Sequence, residues 1–291
     1  MCTRFAAEAI PTFHYFYVCT AVRRFMFFLD TKRQGRVRIS DVLASGFLDD
    51  LLELRDSPEN QVDQQQQQPD SSRTTSDRSQ TARSSDAAEN WFSANCLLRV
   101  YGQYLNLDRD RNGMLSIDEL KEYGGGTLTD VFMQRLFQEC VTYPKSDPPH
   151  EAEMDYKSYL DFVLAMENKK DRASIEYFFR ILDIRQLGYL DGFAFNHFFR
   201  AIYDNLVSTA QCDDDIVEFL DVKDEIFDMV TPVHPDKITL LDLVKSKQAD
   251  TVINILTDHD GFWRYDHREV LATEDDEEDE EEQEEDKEMD V

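Results

Sequence analysis

The sequence predicts an all-α protein built from helix–loop–helix units, and three observations carry that expectation. Apolar residues recur at i, i+3, i+4, i+7 over most of the chain, the one-face spacing of an amphipathic helix. Strict apolar–polar alternation never runs long enough for an extended β-sheet. One twelve-residue stretch, 108–119, has the spacing of a cation-binding loop set between two helices.

In chain order, the first stripe is Val18, Ala21, Val22, Phe25, within a segment 1–56 that reads as a degenerate helix–loop–helix unit. Residues 57–90 break the pattern: Gln64 to Gln68, Pro69 and a Ser/Thr/Arg/Asp mixture offer almost nothing to bury. Such a segment cannot offset the entropy of ordering, so it is expected to be a disordered insertion. Segment 91–170 holds the intact loop and its partner, with stripes Met133, Leu136, Phe137, Cys140 and Tyr159, Phe162, Val163, Met166. Segment 171–273 reads as a second, degenerate pair, with Ile175, Phe178, Phe179, Leu182 and Phe195, Phe198, Phe199, Ile202. Phe-rich stripes at helical spacing are core rather than a cofactor pocket. The chain ends in an acidic tail, 274–291, expected to be disordered.

Charge narrows the function classes. Of 291 residues, 60 are Asp or Glu and 31 Lys or Arg, a formal charge of −29. The tail contributes −13 of it through fourteen carboxylates and one lysine, which leaves −16 elsewhere. A field of that sign repels phosphate backbones and anionic headgroups and attracts basic protein surfaces, so neither nucleic acid nor membrane is expected as partner. Cys2, Cys19, Cys96, Cys140 and Cys212 are odd in number, widely spaced and never in a C-x-x-C pair. That argues against a disulfide scaffold or zinc knuckle and suits a reducing compartment. With no transmembrane-length apolar run and no signal-peptide pattern, the expectation is a soluble, intracellular protein.

The strongest chemical signal is the loop 108–119. Asp108, Asp110 and Asn112 place side-chain oxygens at loop positions 1, 3 and 5, and Gly113 makes the sharp turn at 6. Met114 offers a backbone carbonyl, Ser116 is read as holding a water, and Glu119 closes the sphere with both carboxylate oxygens. Calcium takes six to eight oxygens at loose geometry, and this order supplies them. The expected ligands are therefore Asp108, Asp110, Asn112, Met114 and Glu119, for one Ca2+. Leu97, Leu98, Tyr101 and Leu105 form the apolar stripe of the incoming helix, and Leu120 and Tyr123 continue the outgoing one. Leu115, at position 8, is placed to pair with a second loop.

Other loops keep the skeleton without the ligands. Asp183 to Asp191 retains the Asp, Gly188 and apolar Leu190, but has Arg185 at position 3, Leu187 at 5 and Ala194 at 12. Asp30 and Gly35 repeat the skeleton with Lys32 at position 3 and Asp41 at 12. Only back halves are recognisable around Met154, Asp155, Ser158 and around Ile238, Thr239, Asp242. Cations where oxygens belong predict empty, structural loops. Asp258-His259-Asp260-Gly261 reads as a surface turn entering the aromatic patch Phe262, Trp263, Tyr265, and Gly124-Gly125-Gly126 as a helix stop and linker before the helix caps Thr127 and Thr129. No nucleophile, phosphate-loop or H-E-x-x-H pattern occurs, so no enzyme is expected.

Six stretches go beyond a calcium hand: "FYVCTAVRRFMFFLD", "FLDDLLELRD", "LLRVYGQYLNLDRDRNGMLS", "DYKSYLDFVLAMENKK", "VKDEIFDMV" and "DGFWRYDHREVL". Together they resemble the EF-hand-containing B″ regulatory subunits of serine/threonine protein phosphatase 2A, nearest the gamma type, which includes the plant cytoskeletal form. The resemblance covers Phe16 to Asp56 and Trp91 to Leu271. It implies an elongated, helical EF-hand protein that docks on the phosphatase scaffold and catalytic subunits and directs them to phosphoprotein substrates. It implies the same calcium ligands, and a cytoplasmic, nuclear, cytoskeletal or centrosomal address. The chain departs from the family in lacking the portion before its first hand-like loop, in the 57–90 insertion and in the acidic tail. The alternative is an EF-hand cytoskeletal organiser or calcium sensor working without the phosphatase.

Overall fold

The computed structural model describes residues 11–56, 90–140, 143–144, 152–208 and 218–268. The expected insertion, Asn90 excepted, and the acidic tail lie outside the described residues. Among those residues the structure is helical, with two-residue strands only: Tyr143–Pro144 against Ala152–Glu153, and Tyr189–Leu190 against Ile238–Thr239. No helix of the described residues is long and apolar enough to cross a membrane. The chain forms two compact units, Met1–Met114 with Asp155–Glu167, and Leu115–Met154 with Asn168–Val291.

In the first unit, the helix Pro11–Leu29 packs against Tyr156–Glu167 through an aromatic cluster. The Phe16 ring lies 4.3 Å from Tyr101 and 5.0 Å from Tyr156, and Tyr104 lies 4.9 Å from Tyr156. Several polar groups at the edge of this cluster are paired, as buried polar groups mostly are. The Thr20 and Tyr156 hydroxyls meet at 3.1 Å, Trp91 Nε1 donates to the Thr20 carbonyl at 2.9 Å, and Arg23 pairs with Asp161. Burial pushes the Tyr156 phenol up to about 12.

Two expected stripes are corrected here. Val18 and Val22 are exposed rather than core, because Phe16, Thr20, Arg23 and Phe25 supply the contacts that turn this nearly all-apolar helix. On the helix Ala94–Leu107 the buried track is Cys96, Leu97, Val100, Tyr104 and Leu107, while Leu98 and Leu105 face solvent.

The second unit holds the Phe-rich core. Ile175, Phe178, Phe179 and Leu182 of the helix Arg172–Leu182 are buried, as are Phe195, Phe198, Phe199 and Ile202 of Gly192–Ser208. Phe178 stacks on Phe132 at 6.1 Å, and Phe199 meets Phe262 at 5.8 Å. Thr129 caps the helix Asp130–Glu139 by accepting from Phe132 N–H, and its own N–H donates to the Thr257 carbonyl at 3.0 Å. Thr127 is no cap; its carbonyl accepts from His259 N–H. The Asp258–Gly261 stretch is a helix start, with Asp258 accepting from the N–H groups of Asp260 and Gly261. A Cβ at Gly261 would stand 3.2 Å from Asn254 Cβ, so a side chain there would make the preceding helix give by a few tenths of an ångström.

Candidate metal site

The loop 108–119 is shaped by its own hydrogen bonds. Asp108, buried at the end of the incoming helix, turns both oxygens back into the loop, accepting from Asn112 N–H at 3.1 Å and Gly113 N–H at 3.0 Å. Asp110 accepts from Asn112 N–H at 3.0 Å, and Asn112 Oδ1 accepts from Met114 N–H at 2.7 Å. The turn needs left-handed backbone at Arg111 (φ 58°) and Gly113 (φ 80°), the second of which glycine takes without strain. Tyr104 Oη donates to the Gly113 carbonyl at 2.6 Å.

The closing residue is placed from the other side. Ser116 caps the short helix Ile117–Leu120, accepting from Glu119 N–H, while Glu119 Oε2 accepts from Ser116 N–H at 2.9 Å and Ser116 Oγ at 2.8 Å. This reciprocal capping box leaves Glu119 buried and aimed into the loop. Ser116 therefore positions Glu119, a role the spacing alone did not show.

The result is a convergence of charge. One carboxylate oxygen each from Asp108, Asp110 and Glu119 lies within 4.8 Å of the others, the one such group among the described residues. Three carboxylates that close repel one another despite the backbone and side-chain donors around them, and a hard divalent cation with oxygen preference fits the donor set. Asn112 and Met114 sit in the same loop between them.

The other loops reuse the frame without the charge. Asp183 accepts from the N–H groups of positions 5 and 6, Leu187 at 3.0 Å and Gly188 at 2.7 Å, and Asp30 does so from Gln34 at 3.0 Å and Gly35 at 2.6 Å. Burial pushes the Asp30 carboxyl up, but the N–H groups of Gln34, Gly35 and Arg36 together hold it below the usual range. Position 9 also repeats: Ser116, Asp155, Asp191 and Thr239 each accept from the N–H of position 12. Where the metal ligands are missing, a side chain substitutes. Arg185, at position 3, pairs with Asp191 at position 9 and covers the Phe193 ring at 4.9 Å. Paired position-8 residues join the loops, Leu115 to Met154 and Leu190 to Ile238. We expect Asp183→Asn to cost about 1–3 kcal/mol, the worth of charged hydrogen bonds, and to leave calcium stoichiometry unchanged. Denaturant unfolding and calorimetry on the variant check both halves.

Fold and site define a class: an all-helical protein of paired helix–loop–helix hands in which one loop carries the acidic ligand set. Comparison with known proteins places the chain more closely. No family model matches. The chain is 53% identical over 93% of its length to the gamma-type B″ regulatory subunit of serine/threonine-protein phosphatase 2A from Xenopus tropicalis, covering 55% of that protein. To the human gamma-type protein the identity is 51% over 93% of the chain and 54% of the relative. The Arabidopsis thaliana protein TON2, named as a probable B″ regulatory subunit of the same phosphatase, is 39% identical over 91% of the chain and 50% of its own length. The chain is similar to these B″ regulatory subunits over nearly all of its own length and spans about half the length of these relatives. A solved PP2A PR70 holoenzyme chain shares the fold, with a TM-score of 0.67 at 21% identity over 88% of this chain and 83% of that one.

Proposed function

We propose that the chain is a non-catalytic, calcium-binding regulatory subunit of protein phosphatase 2A that directs the enzyme to its substrates. The identity of 51–53% with gamma-type B″ regulatory subunits over 93% of the chain carries this reading. The loop 108–119 supports one Ca2+, bound by Asp108, Asp110, Asn112, the Met114 carbonyl and Glu119. Lys32, Arg185 and Ala194 argue against a second ion in the loops that hold them. The scaffold and catalytic subunits are the partners, phosphoproteins the substrates, and the cytoplasm, nucleus or cytoskeleton the setting. Affinity purification of the tagged chain tests it: scaffold and catalytic subunits should co-purify in near-equal amounts. Their absence, with cytoskeletal proteins recovered instead, would favour an organiser that works without the phosphatase.

A further inference from the structure

We propose that the first hand-like loop, 30–41, is an anion-binding site that takes a phosphate or carboxylate group carried on a peptide. Its polarity is the reverse of the metal loop's. Residues 108–119 hold Asp108, Asp110, Asp118 and Glu119 against Arg109 and Arg111; residues 30–41 hold Lys32, Arg33, Arg36 and Arg38 against Asp30 and Asp41. In a chain of charge −29, that makes this loop a local positive island.

The loop also encloses space. A concavity of about 690 Å³, lined by residues that include Lys32, Gln34, Arg36, Arg38 and Asp41, opens beside Asp30. That volume falls within the range of small-ligand sites. The opposing carboxylates are largely committed. Both Asp30 oxygens accept backbone N–H groups, from Gln34 at 3.0 Å and Gly35 at 2.6 Å, and Asp41 Oδ1 lies 3.2 Å from the Ser40 hydroxyl that donates to it. The cations are exposed, and Arg36 is steered by Gln34, whose Oε1 accepts from its Nε and Nη2 at 3.1 and 2.8 Å. A guanidinium held in a fixed plane suits bidentate contact with a phosphate or carboxylate. The acidic remainder of the chain repels a diffuse polyanion, but its field fades within a Debye length of about 8 Å at physiological salt. A compact anionic group entering the concavity meets the local cations first.

The site is independent of any phosphatase, and so is its test. Fluorescence anisotropy on the full chain would use two labelled peptides of equal length, one carrying a single phosphoserine and its counterpart carrying glutamate there. At least one should bind, and Lys32→Glu/Arg36→Glu/Arg38→Glu should weaken it tenfold or more, an effect of about 1.4 kcal/mol. Reversal of the exposed Lys247, which is not part of the 30–41 loop, to Glu should leave binding within about twofold. Preference for the phosphopeptide assigns the ligand as phosphate, and equal binding assigns it as either anion. Circular dichroism confirms that the triple variant is folded, since every altered side chain is exposed. Failure of both peptides to bind, or unchanged binding by the folded triple variant, overturns the proposal.

Discussion

Glu119→Gln is expected to weaken calcium binding at least a hundredfold, about 2.8 kcal/mol. A glutamate at the closing position can give the ion two carboxylate oxygens, whereas glutamine offers one neutral oxygen and turns an N–H donor toward the cation. The helix start should survive, because the amide oxygen can still accept from Ser116, now holding the closing side chain at 2.8–2.9 Å. A lost cap costs about 1 kcal/mol, so the loss of binding should far exceed the loss of fold. Calorimetry should read one ion per wild-type chain in the sensor range of about 10⁻⁷–10⁻⁵ M. Two ions on the wild type, or unchanged affinity in the variant, would refute the assignment.

The largest expected effect on stability is Phe178→Ala, at about 3–5 kcal/mol. Phe178 is fully buried, stacks on Phe132 and meets the Tyr177 ring edge-on at 5.7 Å, so truncation leaves a cavity that rigid helices cannot close. Leu98→Ala, on an exposed leucine, should change stability by less than about 0.5 kcal/mol. Paired denaturant titrations measure the contrast, and near-equal losses would mean the second unit is not packed as described.

The contrast also shows where sequence is legible. In the helices Arg172–Leu182 and Gly192–Ser208 every residue of the periodic stripe is buried, although Ser174, Tyr177, Ile181, Ala194 and Leu206 beside the stripes are buried as well. Pro11–Leu29 is apolar almost all round, and there no period can choose a face; Arg23, reaching Asp161 across 138 residues, and Thr20, reaching Tyr156, choose it. Two apolar tracks overlap on Ala94–Leu107, and the one containing Tyr104 is buried, its hydroxyl reaching the Gly113 carbonyl. At the loop itself, the convergence of Asp108, Asp110 and Glu119 could be read from spacing, because a twelve-residue loop allows few closures. The exchange of a metal for Arg185 could be read only halfway. The arginine predicts an empty loop, but its partner Asp191 emerges only once the loop closes.

An ion bound at the loop 108–119 would reach beyond it through a short mechanical path. Leu120, fully buried, fixes the outgoing helix, and Lys121 ties it to the next through Asp130 at 3.1 Å. Without an ion, three carboxylates within 4.8 Å repel one another, so the loop should open and loosen the helix bearing Met133, Leu136 and Phe137. The decisive measurement is the affinity of the purified chain for scaffold plus catalytic subunit, with calcium and with chelator. Binding should be tighter with calcium by roughly 5–150-fold, the coupling of about 1–3 kcal/mol usual for linked sites. Equal affinities in the two conditions would contradict a calcium-responsive regulatory subunit.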